Sequence, residues 1–170
     1  MSELVASQAV SGGVWRFDHD ISTDLLAPGI YALEPIEVRK LHVLEAVEPR
    51  FAQEVEPGDV VVAGRNFGCG SSRETAPEGL RALGVGCVVA ESLARIFMRN
   101  AVAIGLPVMV CPGVHEAFAD GDRIHLELES GRVENPERGL VLRGEPLPDE
   151  MRSILAAGGI LQVLAELRDR

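Results

Sequence analysis

Two adjacent serines and an arginine, Ser71-Ser72-Arg73, close a glycine-rich approach in Gly64-Arg-Asn-Phe-Gly-Cys-Gly-Ser-Ser-Arg-Glu-Thr-Ala-Pro77. Glycines let successive backbone N–H groups converge on one point, and such a nest beside a helix start stabilises an anion, including a serine alkoxide. Serine is a poor base in water and becomes a usable one only where donors are preorganised around it and water is excluded. An arginine supplies a planar fork that matches a carboxylate. Together these residue types suit a site that binds a carboxylate substrate and moves a proton.

Three familiar alternatives fail on spacing. A phosphate-binding Walker loop requires a lysine after its glycine, and here Ser71 follows Gly70 directly. A dinucleotide fingerprint requires a small third residue where this chain has Arg73. A nucleophile elbow requires glycine two residues on either side of the serine, which neither Ser71 nor Ser72 has. A helix cap remains open beside the active-site reading, because Ser71-x-x-Glu74 and Thr75-x-x-Glu78 both have capping-box spacing, with Pro77 early in the helix.

Composition narrows the setting. The 170 residues suit one domain, read here as a flexible leader over 1–13 followed by a single domain over 14–170. Hydrophobic residues make up 46% and charged residues 25%, and no apolar run reaches the roughly twenty residues of a membrane helix, so no membrane partner is expected. The net charge of −10 and the single lysine, Lys40, argue against nucleic acid as a partner. Cys69, Cys87 and Cys111 are odd in number and widely spaced, matching neither a disulfide framework nor a metal site, so a cytoplasmic location without bound metal is expected.

The elements that must position the serines follow from patterning. Val14–Phe17 reads as a strand that enters the polar loop Asp18–Asp24. Leu41, Leu44 and Val47 recur at helical spacing between Val38 and Phe51. Asp59–Ala63, Val85–Ala90 and Leu106–Val110 read as buried strands. A short helix before Gly84 and a helix capped by Ser92, burying Ile96, Phe97 and Val102, separate them. That alternation predicts an α/β fold with a parallel sheet. Arg123–Leu128 alternates strictly and Gly139–Arg143 supplies another strand, which predicts an antiparallel C-terminal part. Pro148 opens a helical stretch to Arg168 that breaks at Gly158-Gly159.

The block Asn66–Glu74, with Ala76-Pro77, Ala94–Phe97, Asn100, Gly105–Pro107 and the earlier Asp20–Asp24, resembles the small subunit of 3-isopropylmalate dehydratase (isopropylmalate isomerase) and the equivalent swivelling domain of the aconitase superfamily. The resemblance spans roughly residues 14 to 165. It implies a swivelling three-layer β/β/α domain of the aconitase C-terminal type, with a mainly parallel central sheet. It also implies a hydro-lyase acting reversibly on small di- or tricarboxylates of the malate type, with a place in leucine biosynthesis. Ser71 becomes the catalytic base that takes a proton from carbon, and Arg73 the carboxylate clamp. Ser72, Gly70 and Asp24 become substrate-side residues, and Cys69 a loop residue that ligates nothing. The [4Fe-4S] cluster that acts on the leaving hydroxyl is carried by a large subunit, so this chain binds no cofactor, is inactive alone and works in a heterodimer or heterotetramer.

Two departures bear on the substrate. Thr75 stands where the family usually has histidine, and Ile30 stands where arginine commonly precedes the tyrosine, here Tyr31. The specificity loop comprises Ile30, Tyr31, Ala32, Leu33 and Glu34. Losing a cation and gaining Glu34 beside an anionic substrate favours a malate with an uncharged substituent, such as 3-isopropylmalate, over one with a third carboxylate. The alternatives are a related dehydratase for homoaconitate, maleate, citraconate or 2,3-dimethylmalate, and a carboxylate-binding module without catalysis. His19 shares the polar loop with Asp24. His42, His115 and His125 lack metal spacing and are expected at the surface or satisfied in the core. Arg95 and Arg99, one helical turn apart, are expected to pair with acids on a solvated face, or else to frame the site or meet the partner.

Overall fold

A computed structural model describes residues 8–170. Its seven strands are β1 (Ala9–Arg16), β2 (Val60–Ala63), β3 (Cys87–Ala90), β4 (Val108–Val110), β5 (Arg123–Glu127), β6 (Arg132–Asn135) and β7 (Leu140–Arg143), in the spatial order β4-β3-β2-β1-β5-β6-β7. The strands β1 to β4 are parallel, whereas β5 pairs antiparallel with β1, and β6 and β7 continue antiparallel. Every residue of β2 and β3 is buried, as strands covered on both faces must be. β5 instead buries Ile124 and Leu126 and leaves the alternating Arg123, His125 and Glu127 exposed or partly wet. The antiparallel half curls over the parallel one: beyond β7, the Glu145 N–H donates to the Val110 carbonyl at 2.8 Å.

The helices are α1 (Thr23–Leu26), α2 (Ile36–Arg39), α3 (Phe51–Glu54), α4 (Thr75–Ala82), α5 (Arg95–Ala103), α6 (Val114–Ala117), α7 (Asp149–Ala157) and α8 (Ile160–Arg168). Residues buried from both sheet halves and the helices form one hydrophobic cluster. The expected mixed α/β fold, with parallel strands first and antiparallel strands after, is present. Because β1 to β4 are parallel, the segments that leave their C-terminal ends gather along one edge. Ligands in open α/β sheets bind at that edge, and both the polar loop after β1 and the glycine-rich turn after β2 lie there.

Several local expectations are corrected. The leader expected over 1–13 ends earlier, since residues 9–13 belong to β1 and pair with β5; residues 1–7 lie outside the described residues. The helical period over 38–51 yields no continuous helix. Leu44 takes a left-handed backbone (φ 59°) and donates its N–H to the Leu25 carbonyl at 3.0 Å, so Val43 and Leu44 are buried while Leu41 and Val47 stay exposed. The tertiary bond to α1 outweighs local propensity here. Ile96 is 51% exposed and does not face the core, although Phe97 and Val102 do. The strand β6 was not expected: it has little apolar signal, and its buried Asn135 is satisfied by donating to the Ala117 carbonyl and the Asp122 carboxylate.

Candidate active site

The loop after β1 and the turn after β2 are joined almost strand to strand. Asp20 N–H donates to the Arg65 carbonyl at 2.9 Å, Gly68 N–H to the Ile21 carbonyl at 2.7 Å, and Thr23 N–H to the Cys69 carbonyl at 2.8 Å. His19 Nδ1 accepts the Arg65 N–H at 2.7 Å, which places the ring proton of a neutral His19 on Nε2. Asn66, at φ 64°, adds a side-chain bond to Asp20 at 3.1 Å and a backbone bond to Ser92 Oγ at 2.7 Å.

The far side of the turn is fixed by packing. Phe67 is fully buried and meets Phe97 of α5 edge to face, with centroids 5.2 Å apart. Gly68 sits directly on that ring at φ 83°, where an added Cβ would come within 2.3 Å of Phe97. Only glycine satisfies both the backbone angle and the space.

Ser71 therefore sits on an immobilised turn, with its own side chain exposed. Its Oγ lies 3.3 Å from Thr23 Oγ1, a hydroxyl on a residue only 2% exposed. Gly70, at φ 107°, brings the backbone close to the same hydroxyl, with a Cβ position 3.2 Å from Thr23 Oγ1. Among the described residues, the backbone N–H groups of Gly70, Ser71 and Ser72 donate to no protein acceptor. Their donors are available to an anion.

The helix-cap reading is overturned. The N-cap of α4 is Glu74, with no side-chain cap bond, and Thr75 is already the first helical residue. Ser71 thus completes no capping box, and Glu78 instead pairs with Arg39 at 3.0 Å.

Arg73 is half-buried and held by α1. One terminal nitrogen donates to the Ala27 carbonyl at 2.9 Å, and the other pairs with Asp24 Oδ1 at 2.9 Å. Those two contacts fix the plane of the guanidinium and leave its other N–H groups for a ligand carboxylate. Asp24 is brought to the site, but as Arg73's partner. Ser72 is in the turn and exposed, without a protein partner among the described residues.

The expected specificity loop adjoins this arginine. A Cβ added to Gly29 would lie 3.5 Å from Arg73 Nη1, and a cavity lined by Leu26, Pro28, Tyr31, Val43, Arg73 and Thr75 opens between them. Tyr31 is braced from outside by His42, the rings stacked at 3.6 Å and 9°, while His42 bonds Glu45 at 2.7 Å. Ile30 and Leu33 project at 83% and 101% exposure, and Ala32 and Glu34 are exposed as well. Thr75, the position of departure, stands in the cavity wall beside Arg73 and Tyr31.

The side chains of His115 and the three cysteines lie away from the Ser71–Arg73 pair in the hydrogen-bond pattern. His115 is buried between Asp18 at 3.2 Å and Glu116 at 3.1 Å, and its ring meets His19 at a centroid distance of 4.8 Å. Burial pushes the Cys87 thiol upward, and burial with the nearby Glu91 charge pushes Cys111 up to about 11, so both stay protonated near neutrality. Cys69 is half-buried. Among the described residues no group of three His, Cys, Asp or Glu side chains could hold a metal ion, and the three thiols stand on separate segments, so these residues do not fit an iron–sulfur cluster.

Sequence reasoning missed Thr23, the buried hydroxyl beside Ser71, and the Ala27 carbonyl that orients Arg73. The available signal for Thr23 was its place in the polar loop Asp18–Asp24, next to Asp24. Ser22 caps α1, its Oγ accepting the Leu25 N–H at 3.2 Å.

Comparison with known proteins shows the family and the fold. The sequence model of the aconitase C-terminal domain family matches residues 26–111. The chain is similar to 3-isopropylmalate dehydratase small subunit 1 of Methanopyrus kandleri, 50% identical over 157 residues that cover 91% of this chain and 92% of the relative. It is 45% identical, over 91% of this chain and 93% of the relative, to the isopropylmalate/citramalate isomerase small subunit of Methanocaldococcus jannaschii. The crystal structure of a 3-isopropylmalate dehydratase from Methanocaldococcus jannaschii superimposes with a TM-score of 0.88 at 33% identity, covering 94% of this chain and 95% of that one.

Proposed function

The chain belongs to the family of 3-isopropylmalate dehydratase small subunits, and from that premise we propose how its site works. The chain is the small subunit of a hydro-lyase, and its partner is a large subunit. In the dehydration direction, Ser71 as alkoxide takes the proton from the carbon beside a substrate carboxylate. The C–H electron pair becomes the new C=C bond as the C–O bond breaks and the hydroxyl departs. The Thr23 hydroxyl, 3.3 Å away, donates to the Ser71 alkoxide, and the unpaired N–H groups of Gly70, Ser71 and Ser72 favour negative charge at the turn. Arg73, oriented by Ala27 and Asp24, binds the carboxylate. Rehydration with Ser71–OH returning its proton to carbon completes the isomerisation. The [4Fe-4S] cluster we place on the large subunit supplies a Lewis acid for the hydroxyl oxygen.

The observation that carries this reading is an exposed serine, its Oγ beside the buried Thr23 hydroxyl, in the same turn as an arginine held in one plane by Ala27 and Asp24. The apolar cavity next to Arg73, the Ile30 position and Glu34 support a malate with an uncharged substituent. The isopropylmalate and citramalate in one relative's name are both of this kind. The free cysteines support a cytoplasmic location, and no helix among the described residues is long and apolar enough to cross a membrane. Turnover assays of the complex reconstituted with its large subunit test the substrate class: isopropyl- and methyl-substituted malates are expected to be processed. Comparable turnover of citrate or homocitrate would contradict the proposal.

A further inference from the structure

α5 carries two arginines at i, i+4 spacing, Arg95 and Arg99, both exposed, with the half-exposed Ile96 between them. Like charges at this spacing repel, and among the described residues neither arginine pairs with a carboxylate. The acid one turn before Arg95 is Glu91, whose two oxygens are taken by the Gly113 and His115 N–H groups at 2.9 and 3.1 Å. Arg65 lies in the neighbouring segment, exposed and likewise without a carboxylate partner among the described residues. The nearby Asp20 carboxylate accepts from Asn66, and Asp18 faces His115. In a chain of net charge −10, this strip stands out as cationic.

The strip is continuous with the active site. Phe67 bridges to Leu93 in parallel register, Phe67 N–H donates to the Ser92 carbonyl at 3.1 Å, and Ala94 N–H donates to the Phe67 carbonyl at 2.8 Å. The start of α5 is therefore bonded to the turn that presents Ser71. The start of α5 thus adjoins the site from which a partner chain must exclude water.

We propose that Arg65, Arg95 and Arg99, around Ile96, form the docking surface for an acidic face of the large subunit. The inference rests on the heteromeric reading above and adds where the partner sits and by what chemistry it is recognised. Arginines around an apolar residue are the side chains that protein interfaces favour. A charge-matched contact of this kind speeds association and weakens with salt.

The test uses the purified chain and its co-expressed large subunit, with affinity and dehydratase activity measured separately. R95E/R99E is expected to weaken binding by about tenfold or more at low ionic strength, with the deficit shrinking as salt rises past about 0.5 M. R95Q/R99Q should show a smaller loss in the same direction, and R143E on β7 should bind as wild type does. Thermal denaturation of each variant alone separates a docking defect from a folding defect. Wild-type affinity for a folded R95E/R99E would overturn the inference while leaving the active-site reading intact, as would a change confined to self-association of the chain. A wild-type chain that neither binds the large subunit nor gains activity from it would instead overturn the heteromeric reading.

Discussion

Left-handed glycines at the hairpin turns of the antiparallel half and at the site turn of the parallel half serve different needs. In the antiparallel half, Gly121 and Gly139 have φ of 86° and 63° and nothing within 4 Å of an added Cβ; they serve only to turn the chain. In the parallel half, Gly68 and Gly70 combine positive φ with close contacts, to Phe97 at 2.3 Å and to Thr23 Oγ1 at 3.2 Å. The non-glycine residues Asp20 and Asn66 add positive φ in the same place. Gly131, between β5 and β6, is also tight, an added Cβ lying 2.4 Å from the Gly144 carbonyl oxygen, but there the close approach joins backbone to backbone away from the site. The site turn stores unusual geometry because it must press a backbone against a buried hydroxyl and an aromatic ring.

Substitutions that separate the two halves should differ in kind as well as size. The largest effect belongs to Ser71→Ala in the reconstituted enzyme, expected to lower kcat by about 10²–10⁴-fold with the thermal transition unchanged. Gly68→Ala should cost about 3 kcal/mol or more of stability, since overpacking against Phe97 adds to the left-handed penalty. Gly121→Ala, facing open space, should cost only about 1–2 kcal/mol and leave activity intact. Denaturant unfolding of both variants measures the contrast, and equal losses would erase it.

A middle-sized effect is expected at Thr23. Thr23→Val keeps the shape and removes the hydroxyl beside Ser71, so kcat should fall by about tenfold while KM stays near wild type. An equal rise in KM would mean that Thr23 binds substrate directly. The smallest effect belongs to the antiparallel half. Asp122 accepts from the Ala119 N–H at 2.9 Å, from Asn135 at 3.0 Å and from Arg138 at 3.1 Å, and these contacts, the backbone bond first, hold its carboxyl below the usual value. Its contribution is therefore full above the unfolded-state pKa and is lost as pH falls through the lower folded value. Asp122→Asn should flatten that part of the stability profile without touching catalysis.

The halves also differed in how far they could be read from the sequence. Strict alternation exposed β5, and continuous apolar runs exposed β2 and β3, because burial on one or both faces is written directly into residue type. β6 escaped because it buries an asparagine whose partners, Ala117 and Asp122, lie outside the strand. The Ser71–Arg73 turn stood out in the sequence because few other uses need glycines, serines and arginine in that order. Thr23 was not, since its significance lies in a 3.3 Å contact with Ser71 across 48 positions of chain. The capping boxes matched in spacing and failed in geometry: Glu74 and Thr75 begin α4 too late for Ser71 to cap it. Leu44 misled in the same way, its helical spacing overruled by a backbone bond to Leu25.

The most direct test of the central claim follows the proton itself. The complex reconstituted with its large subunit is given the unsaturated acid in heavy water, and carbon–deuterium bond formation is followed by NMR. Wild type and Ser72→Ala are expected to form the bond, with Ser71→Ala defective by about 10²-fold or more although it folds and binds the large subunit. Carbon–deuterium formation at the wild-type rate in Ser71→Ala would show that another group carries the proton.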